Sequence, residues 1–392
     1  MQAPEDSATG RAVWTGLAGL AAAMGIGRFA FTPLLPLMQA DGLTLSQGAW
    51  LAGANYLGYL LGALACAALD LRPQRAAHGG LLAVALTTLP MGLEPSFPLA
   101  LVLRWGAGMA SAFVLVGISA WSLAWLAARG RVQASGTVYA GVGVGMVVAG
   151  LVAMGVALAG MTAATGWWLL GGLAAAVTAL TWRVLQTAPP IAPAAASTGA
   201  EPPARHIGLV VCYGAFGFGY ILPATFLPAM ARELIADPAR FGWTWPVFGL
   251  AAALSTWGAG ALFGQVAPRK LWAGSQVVMA AGVLISAGFA HSLAALIVSA
   301  VCVGGTFMVA TMAGLREARR VGGAAAPRLM AWMTAAFATG QFVGPLTVGA
   351  AGPQGLAVQS AIAAALLLAS SAALLSRREA GTLSSPSRTE SS

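Results

Sequence analysis

Apolar residues fill this chain in long unbroken runs separated by short polar breaks. Twelve such runs fall near residues 12–37, 47–69, 76–94, 98–126, 133–160, 164–186, 207–231, 242–266, 271–290, 293–315, 327–350 and 355–376. Each has the length, about 20 residues, that carries a helix across a hydrocarbon layer roughly 30 Å thick. The runs are continuous rather than alternating, so they predict helices, which satisfy their backbone hydrogen bonds within one segment, and not barrel strands. The first run is long and has Gly, Pro and Arg in its interior, with no small-residue cleavage site after a short apolar core. It is therefore expected to remain as a span rather than be removed as a signal peptide. Between the sixth and seventh runs, "TAPPIAPAAASTGAEPPAR" (187–205) is rich in Pro, Ala and small polar residues, which favour an extended solvated segment. The expected organisation is a six-helix bundle over 1–186, a linker over 187–205, a second six-helix bundle over 206–376 and a disordered tail over 377–392.

Composition removes the soluble alternatives. Hydrophobic residues make up 58% of the 392 residues, charged residues 8%, and the mean hydropathy is +0.80. That much apolar surface exceeds what a soluble core hides, so the chain is expected to be polytopic in a lipid bilayer. The net charge of +9 points to a topology, not to a nucleic-acid partner. With the N-terminus in the cytoplasm, sixteen of the 20 Lys and Arg fall in cytoplasmic segments or at the span ends beside them. Only Arg232 and Arg240 fall outside. This bias orients both termini inward, as in a multi-pass protein of a membrane facing the cytoplasm. Cys66, Cys212 and Cys302 lie inside spans without paired spacing and read as packing residues; no disulfide or zinc pattern occurs.

An internal repeat supports the division into halves. "GIGRFAFTPLLPLM" (25–38) aligns with "GFGYILPATFLPAM" (217–230), matching Gly25, Gly27, Leu35, Pro36 and Met38 to Gly217, Gly219, Leu227, Pro228 and Met230 at a constant offset of 192. A second echo sets "GVGVGMVVAG" (141–150) against "AFATGQFVGP" (336–345), Gly145 over Gly340. Each half holds an even number of spans, so both enter the membrane in the same direction. Parallel repeats of this kind place a substrate site between the halves near the bilayer midplane.

With "MGIGRFAFTPLLPLM" in the first run and "GANYLGYLLGAL" in the second, the chain resembles the major facilitator superfamily, and within it the bacterial YbfB/YjiJ-type branch of permeases. "LRWGAGMASA" (103–112) is similar to the superfamily's fourth-helix motif, with Arg104 at the arginine position. "CAALDLRPQR" (66–75) resembles its loop motif between helices two and three, with Cys66 where glycine is preferred. The second-half partner "GALFGQVAPRK" lacks the acid, and the fifth run lacks the proline of the antiporter signature. The resemblance implies an all-α integral membrane fold of twelve helices, arranged as two pseudo-twofold-related six-helix bundles, and a transport function.

The candidate chemistry centres on Arg28, about ten residues or roughly 15 Å from the outer end of its span. As a dinucleotide fingerprint "GIGRFA" fails, because the motif needs a strand before it and an open helix after it. Snorkelling to the headgroups from that depth is also unfavourable. An arginine there costs about 2.5–3.5 kcal/mol on insertion scales, so it is expected to face a cavity or a partner. Arg104 lies about six residues, roughly 9 Å, below the outer surface and can share that cavity. All eleven Asp and Glu fall in tails, loops or span ends, which leaves the two guanidiniums as a cationic pocket for an anion.

The weighed alternative is that each arginine is a structural lock, held by backbone carbonyls freed at Gly and Pro. Tyr220 occupies the repeat position of Arg28, and Gln341, Asn55, Tyr59 and Tyr139 complete the candidate site. Gly141 to Gly145 are read as a close helix contact that permits rocking. Trp243 and Trp245 read as interface anchors.

The function expected is a secondary active or facilitative transporter of a small anionic solute, working by alternating access as a monomer. A proton or ion is its coupling partner, or the solute itself carries the proton. No cofactor is expected, and no ATP-binding loop occurs. The alternative within transport is a drug or metabolite efflux permease with structural arginines. An integral membrane lipid-modifying enzyme is the alternative from another class, but no catalytic grouping of His, Asp or Glu supports it.

Overall fold

The computed structural model describes residues 2–69, 71–187, 206–235, 242–350 and 355–376, nearly all of them helical. The helix α1 begins at Gln2–Leu20, widens into a π-helical stretch Ala21–Arg28 and resumes as Phe31–Ala40. It is followed by α2 (Leu45–Ala68), α3 (Pro73–Thr88, closed by a 3-10 turn Leu89–Leu93), α4 (Phe97–Ala128), α5 (Ser135–Leu158) and α6 (Ala163–Leu185). The second series is α7 (Ile207–Leu234), α8 (Thr244–Leu262), α9 (Pro268–Gly288), α10 (Leu293–Gly322), α11 (Ala326–Ala350) and α12 (Gly355–Ser376). The linker expected at 187–205 lies outside the described residues beyond Thr187, as do Asp70, Arg240 and the tail 377–392.

Helix ends follow from local chemistry. Thr44 caps α2: its hydroxyl accepts from the Gln47 backbone N–H at 3.2 Å, and the Gln47 side chain accepts from the Thr44 N–H at 3.0 Å. Proline stands in the first turn of α3, α4 and α9, where its missing N–H costs nothing. Among the described residues, ten stretches are long and apolar enough to cross a membrane; one of them, Leu293–Gly344, takes in both α10 and α11. The helix α8 falls short because Trp, Pro, Thr, Ser and Gly dilute it. The C-terminal end of α10 reaches further than the apolar run that predicts it, to Gly322 instead of residue 315.

The packing repeats itself with a shift of six helices. In the first series α2 and α3 pack on α4, α1 on α5 and α3 on α6; in the second, α8 and α9 pack on α10, α7 on α11 and α9 on α12. The two series meet along α5–α8 and α2–α11, contacts that exchange with each other under the same shift. Glycine sets how closely these helices approach. A Cβ on Gly25 would fall 2.3 Å from the Cα of Gly145, and one on Gly340 would fall 2.4 Å from the carbonyl oxygen of Gly214 and 3.1 Å from the carbonyl carbon of Gly217. The two repeat echoes of the sequence are therefore the two sides of one helix crossing, α1 on α5 and α7 on α11. Along α5 a different face, Gly136, Gly143 and Gly150, meets Gly260, Ala253 and Pro246 of α8. Gly141 and Gly145 thus hold α1, while Gly143 between them holds α8.

Candidate functional site

The site begins with the break in α1. Pro33 has no N–H to return to the carbonyl of Phe29, and upstream the Phe29 N–H bonds five residues back, to Met24 O at 3.0 Å. Such π turns leave carbonyls off the helix axis and recur at functional sites. Neighbouring helices use these carbonyls. The Ser111 hydroxyl on α4 donates to Ala23 O at 2.8 Å. The Arg104 guanidinium donates to Gly27 O at 3.1 Å through Nη1 and to Arg28 O at 3.3 Å through Nη2. Asn55 on α2 donates through Nδ2 to Arg104 O at 2.9 Å and reaches Gly27 O at 3.5 Å. Both Arg104 and Asn55 are buried, at 2% and 1% exposure. Arg104 also lies 5.0 Å from the ring centre of Phe31. Arg104 therefore bonds to the backbone of α1, Arg28 O included, and is not among the residues that line the cavity beside the Arg28 side chain.

Arg28 ends the π stretch and turns toward the seam. It is 4% exposed. Its Nη2 donates to the side-chain oxygen of Gln341 on α11, 313 residues away in sequence. The guanidinium carbon lies 3.9 Å from the ring centre of Tyr59 and 5.8 Å from that of Tyr56, both on α2. Nε and Nη1 of Arg28 have no hydrogen-bond partner, nor does Nε2 of Gln341. A narrow cavity of about 20 Å³ adjoins them, lined by Arg28, Tyr59, Tyr220, Phe307 and Thr311 among others. That is room for about one water, so a larger guest must widen it. Tyr220 packs its ring on Phe307, centres 4.9 Å apart. Tyr139 is fully buried on α5 and is not among the lining residues.

Sequence reasoning misses three features. Tyr56 stands one turn from Tyr59, an i,i+3 spacing that puts both rings on one helix face. Thr311 stands one turn from Phe307 on α10. The third feature is the buried carboxylate of Glu317, at 0% exposure, which is ion-paired to Arg269 and, at 2.8 Å, to Arg320. It supplies the acid that "GALFGQVAPRK" lacks, from the far end of α10. Arg316 beside it donates to Gly264 O at 2.9 Å, so the same helix end holds the α8–α9 connection. Six residues separate Thr311 from Glu317, about 9 Å of helix rise, and the carboxylate is paired at the bundle end rather than with Arg28. Among the described residues, Arg28 meets no carboxylate.

Replacing Arg104 by Gln is expected to strip donors from two buried carbonyls at about 1.5–3 kcal/mol each, more than the roughly 2.5–3.5 kcal/mol of insertion cost recovered with the guanidinium, and so to lower stability, unlike a change that loses one such bond. Thermal melting of the purified protein checks this. Unchanged melting together with lost ligand binding would instead put Arg104 on the ligand.

Comparison with known proteins adds three findings. Residues 20–377 match the family described as "Uncharacterised MFS-type transporter YbfB". The fold is similar to that of the human organic anion transporter MFSD10 (TETRAN), with a TM-score of 0.72 and 15% identity over 95% of this chain and 99% of the other. No curated protein matches the sequence.

Proposed function

We propose, from the premise that this chain belongs to the YbfB family of MFS-type transporters, that it carries a small anionic solute by alternating access, with Arg28 gripping the negative group. The protein is a multi-pass membrane transporter of the major facilitator fold. The finer reading adds the bacterial inner membrane, inward-facing termini, a monomer, and two bundles, 1–186 and 206–376, joined by the linker 187–205. The observation that carries it is the condition of Arg28: buried at the seam, bonded to a neutral amide, with two donor nitrogens unpartnered. The organic-anion description belongs to the neighbour of like fold; the anion reading here rests on Arg28.

The guanidinium geometry supplies a mechanism. Nε and Nη1 do not share an edge of the fork, so a two-pronged grip on a carboxylate requires Nη2 as well. Nη2 carries two N–H groups and Gln341 holds one of them; in this reading the solute approaches on that edge and takes its place. Exchange is favourable because a hydrogen bond to a charged acceptor is about twice as strong as one to a neutral acceptor. Since Gln341 belongs to α11 and Arg28 to α1, the exchange releases a tie between the halves at the moment of binding. A ligand shifts a conformational equilibrium only through such differential contacts. In this reading Tyr59 orients the guanidinium, Asn55 and Arg104 hold the carbonyls that position it, and Tyr220 closes the cavity from the opposite half. Tyr139 packs the seam.

The test is a thermal-shift screen of protein in lipid nanodiscs against carboxylates, amino acids, sugars and lipophilic cations. A ligand at a hundred times its Kd stabilises the folded state by about 2.7 kcal/mol. Carboxylates are expected to give the shift. A preference for lipophilic cations would sink the proposal and favour drug efflux with structural arginines, a role Arg104's backbone contacts already suit. Gln341→Leu is expected to tighten carboxylate binding by roughly 10- to 100-fold, because the solute no longer displaces an acceptor whose bond to Arg28 contributes about 1.5–3 kcal/mol. Weaker binding would mean that Gln341 holds the solute itself.

A further inference from the structure

A second cavity lies beside the first, between α7, α8 and α10, with a volume of about 300 Å³. That size is at the lower end for pockets that bury drug-sized ligands, about 300–1,000 Å³. Its walls are apolar, formed by Pro223 and Ala224 of α7, Trp245 and Phe248 of α8, and Leu296 and Ala300 of α10. Val247, Ile297 and Val301 on its rim are more than half exposed, at 53%, 55% and 52%. On a spanning helix such exposed aliphatic side chains face hydrocarbon, so this side of the pocket borders the bilayer, while Trp243, Thr244 and Leu293 line it where α8 and α10 begin.

The two cavities share a wall. Tyr220 lines both. Phe307, which faces Arg28's cavity, stacks on Tyr220 at 4.9 Å and 21° and on Phe248 at 5.9 Å and 25°. Phe29, the residue after Arg28, meets both Phe307 and Trp245 with ring centres 6.4 Å apart. A single layer of aromatic rings thus separates a buried cation with unused donors from an apolar chamber bordering lipid. The first chamber offers a place for a negative head and has no room for a body. The second offers room for an apolar body and no charge.

We infer that the solute is an amphipathic organic monocarboxylate with one apolar tail, its head on Arg28 and its tail past Tyr220 in the α7–α8–α10 pocket. This rests on the anion reading for the head alone. Tyr220 and Phe307 act as the swinging partition, and the tail sets specificity by length.

The experiment compares wild type, Ala300→Phe, Ala251→Phe and Arg28→Gln in nanodiscs, using thermal shift with acetate, butyrate, hexanoate and octanoate. Ala251 and Ala300 both line the pocket, on different helices. Melting without ligand verifies that each filled variant is folded, and one of the two suffices. Partition into the bilayer is common to all four proteins and cancels in the comparison. In wild type, affinity referred to water is expected to rise by up to about fourfold per added methylene, the equivalent of about 0.8 kcal/mol. Filling the pocket is expected to remove the gain for octanoate and leave acetate unchanged, while Arg28→Gln removes both. Octanoate binding equal in wild type and the filled variants overturns the tail pocket; if Arg28→Gln still abolishes it, the anion reading stands alone. Octanoate binding that survives Arg28→Gln but not filling overturns the inference from the other side, leaving a lipid-facing site without an anion head.

Discussion

Carriers with Arg28→Gln are expected to fold, insert and melt close to wild type, yet to bind no carboxylate and to transport at background. Magnitudes decide the first half of this outcome. Losing the bond to Gln341 costs about 1.5–3 kcal/mol. Removing a guanidinium from that depth recovers about 2.5–3.5 kcal/mol of insertion cost. The two offset, so stability changes little, and any functional loss then belongs to the site and not to the fold. Arg28→Lys separates charge from geometry. An ammonium keeps the positive charge but loses the planar fork, so its carboxylate affinity is expected to fall roughly 10- to 100-fold, the loss of one charge-assisted hydrogen bond, while remaining measurable. Flux assays in proteoliposomes with equal protein load read both variants. Normal transport by the glutamine variant would end the proposed role of Arg28. A lysine variant as inactive as the glutamine variant would mean that shape alone decides.

How much of this is legible without coordinates varies with the kind of interaction. The spans are legible because lipid demands continuous apolar runs, and each long helix falls on one of them. The helix crossings are legible through the repeat, since Gly25 with Gly145 and Gly217 with Gly340 mark where two backbones touch. Spacing gives the period of such contacts but not which face meets which neighbour. Gly141, Gly143 and Gly145 form one run in the sequence yet serve α1 and α8 alternately, because residues two apart point to different sides of a helix. The pairing of Arg28 with Gln341 is beyond the sequence, since it depends on how two bundles bring together residues 313 apart in the chain. The π stretch is half legible: Pro33 forbids one hydrogen bond, but the widening upstream follows from Arg104, Asn55 and Ser111 holding the carbonyls it frees. Glu317 reads as a loop residue because apolar periodicity stops near residue 315. Its ion pairs, and with them two further turns of α10, come from tertiary contact.

Gly145→Val is expected to leave little folded protein, a larger loss than any substitution in the cavity. A Cβ there would stand 2.3 Å from Ala21 O and 2.8 Å from Gly25 Cα. Overpacking a core against side chains costs about 1–3 kcal/mol, because rotamers give way. Here the obstacles are backbone atoms, and α1 must move bodily off α5. That movement would carry the π stretch away from the donors of Arg104 and Ser111, adding buried unsatisfied carbonyls at about 1–3 kcal/mol each. The sum approaches the whole stability of a typical domain, about 5–15 kcal/mol. Gly340→Val is expected to behave alike, since its Cβ would meet Gly214 O at 2.4 Å in the matching α7–α11 crossing. The control lies on the same helix: Gly155 of α5 has open space around its Cβ position. Gly155→Ala is expected to be neutral or to stabilise by about 0.4–1 kcal/mol through a less flexible unfolded chain. Yield and elution profile of detergent-solubilised protein separate the cases. If Gly145→Val were recovered as readily as Gly155→Ala, the α1–α5 crossing would not be the close backbone contact on which the placement of Arg28 depends.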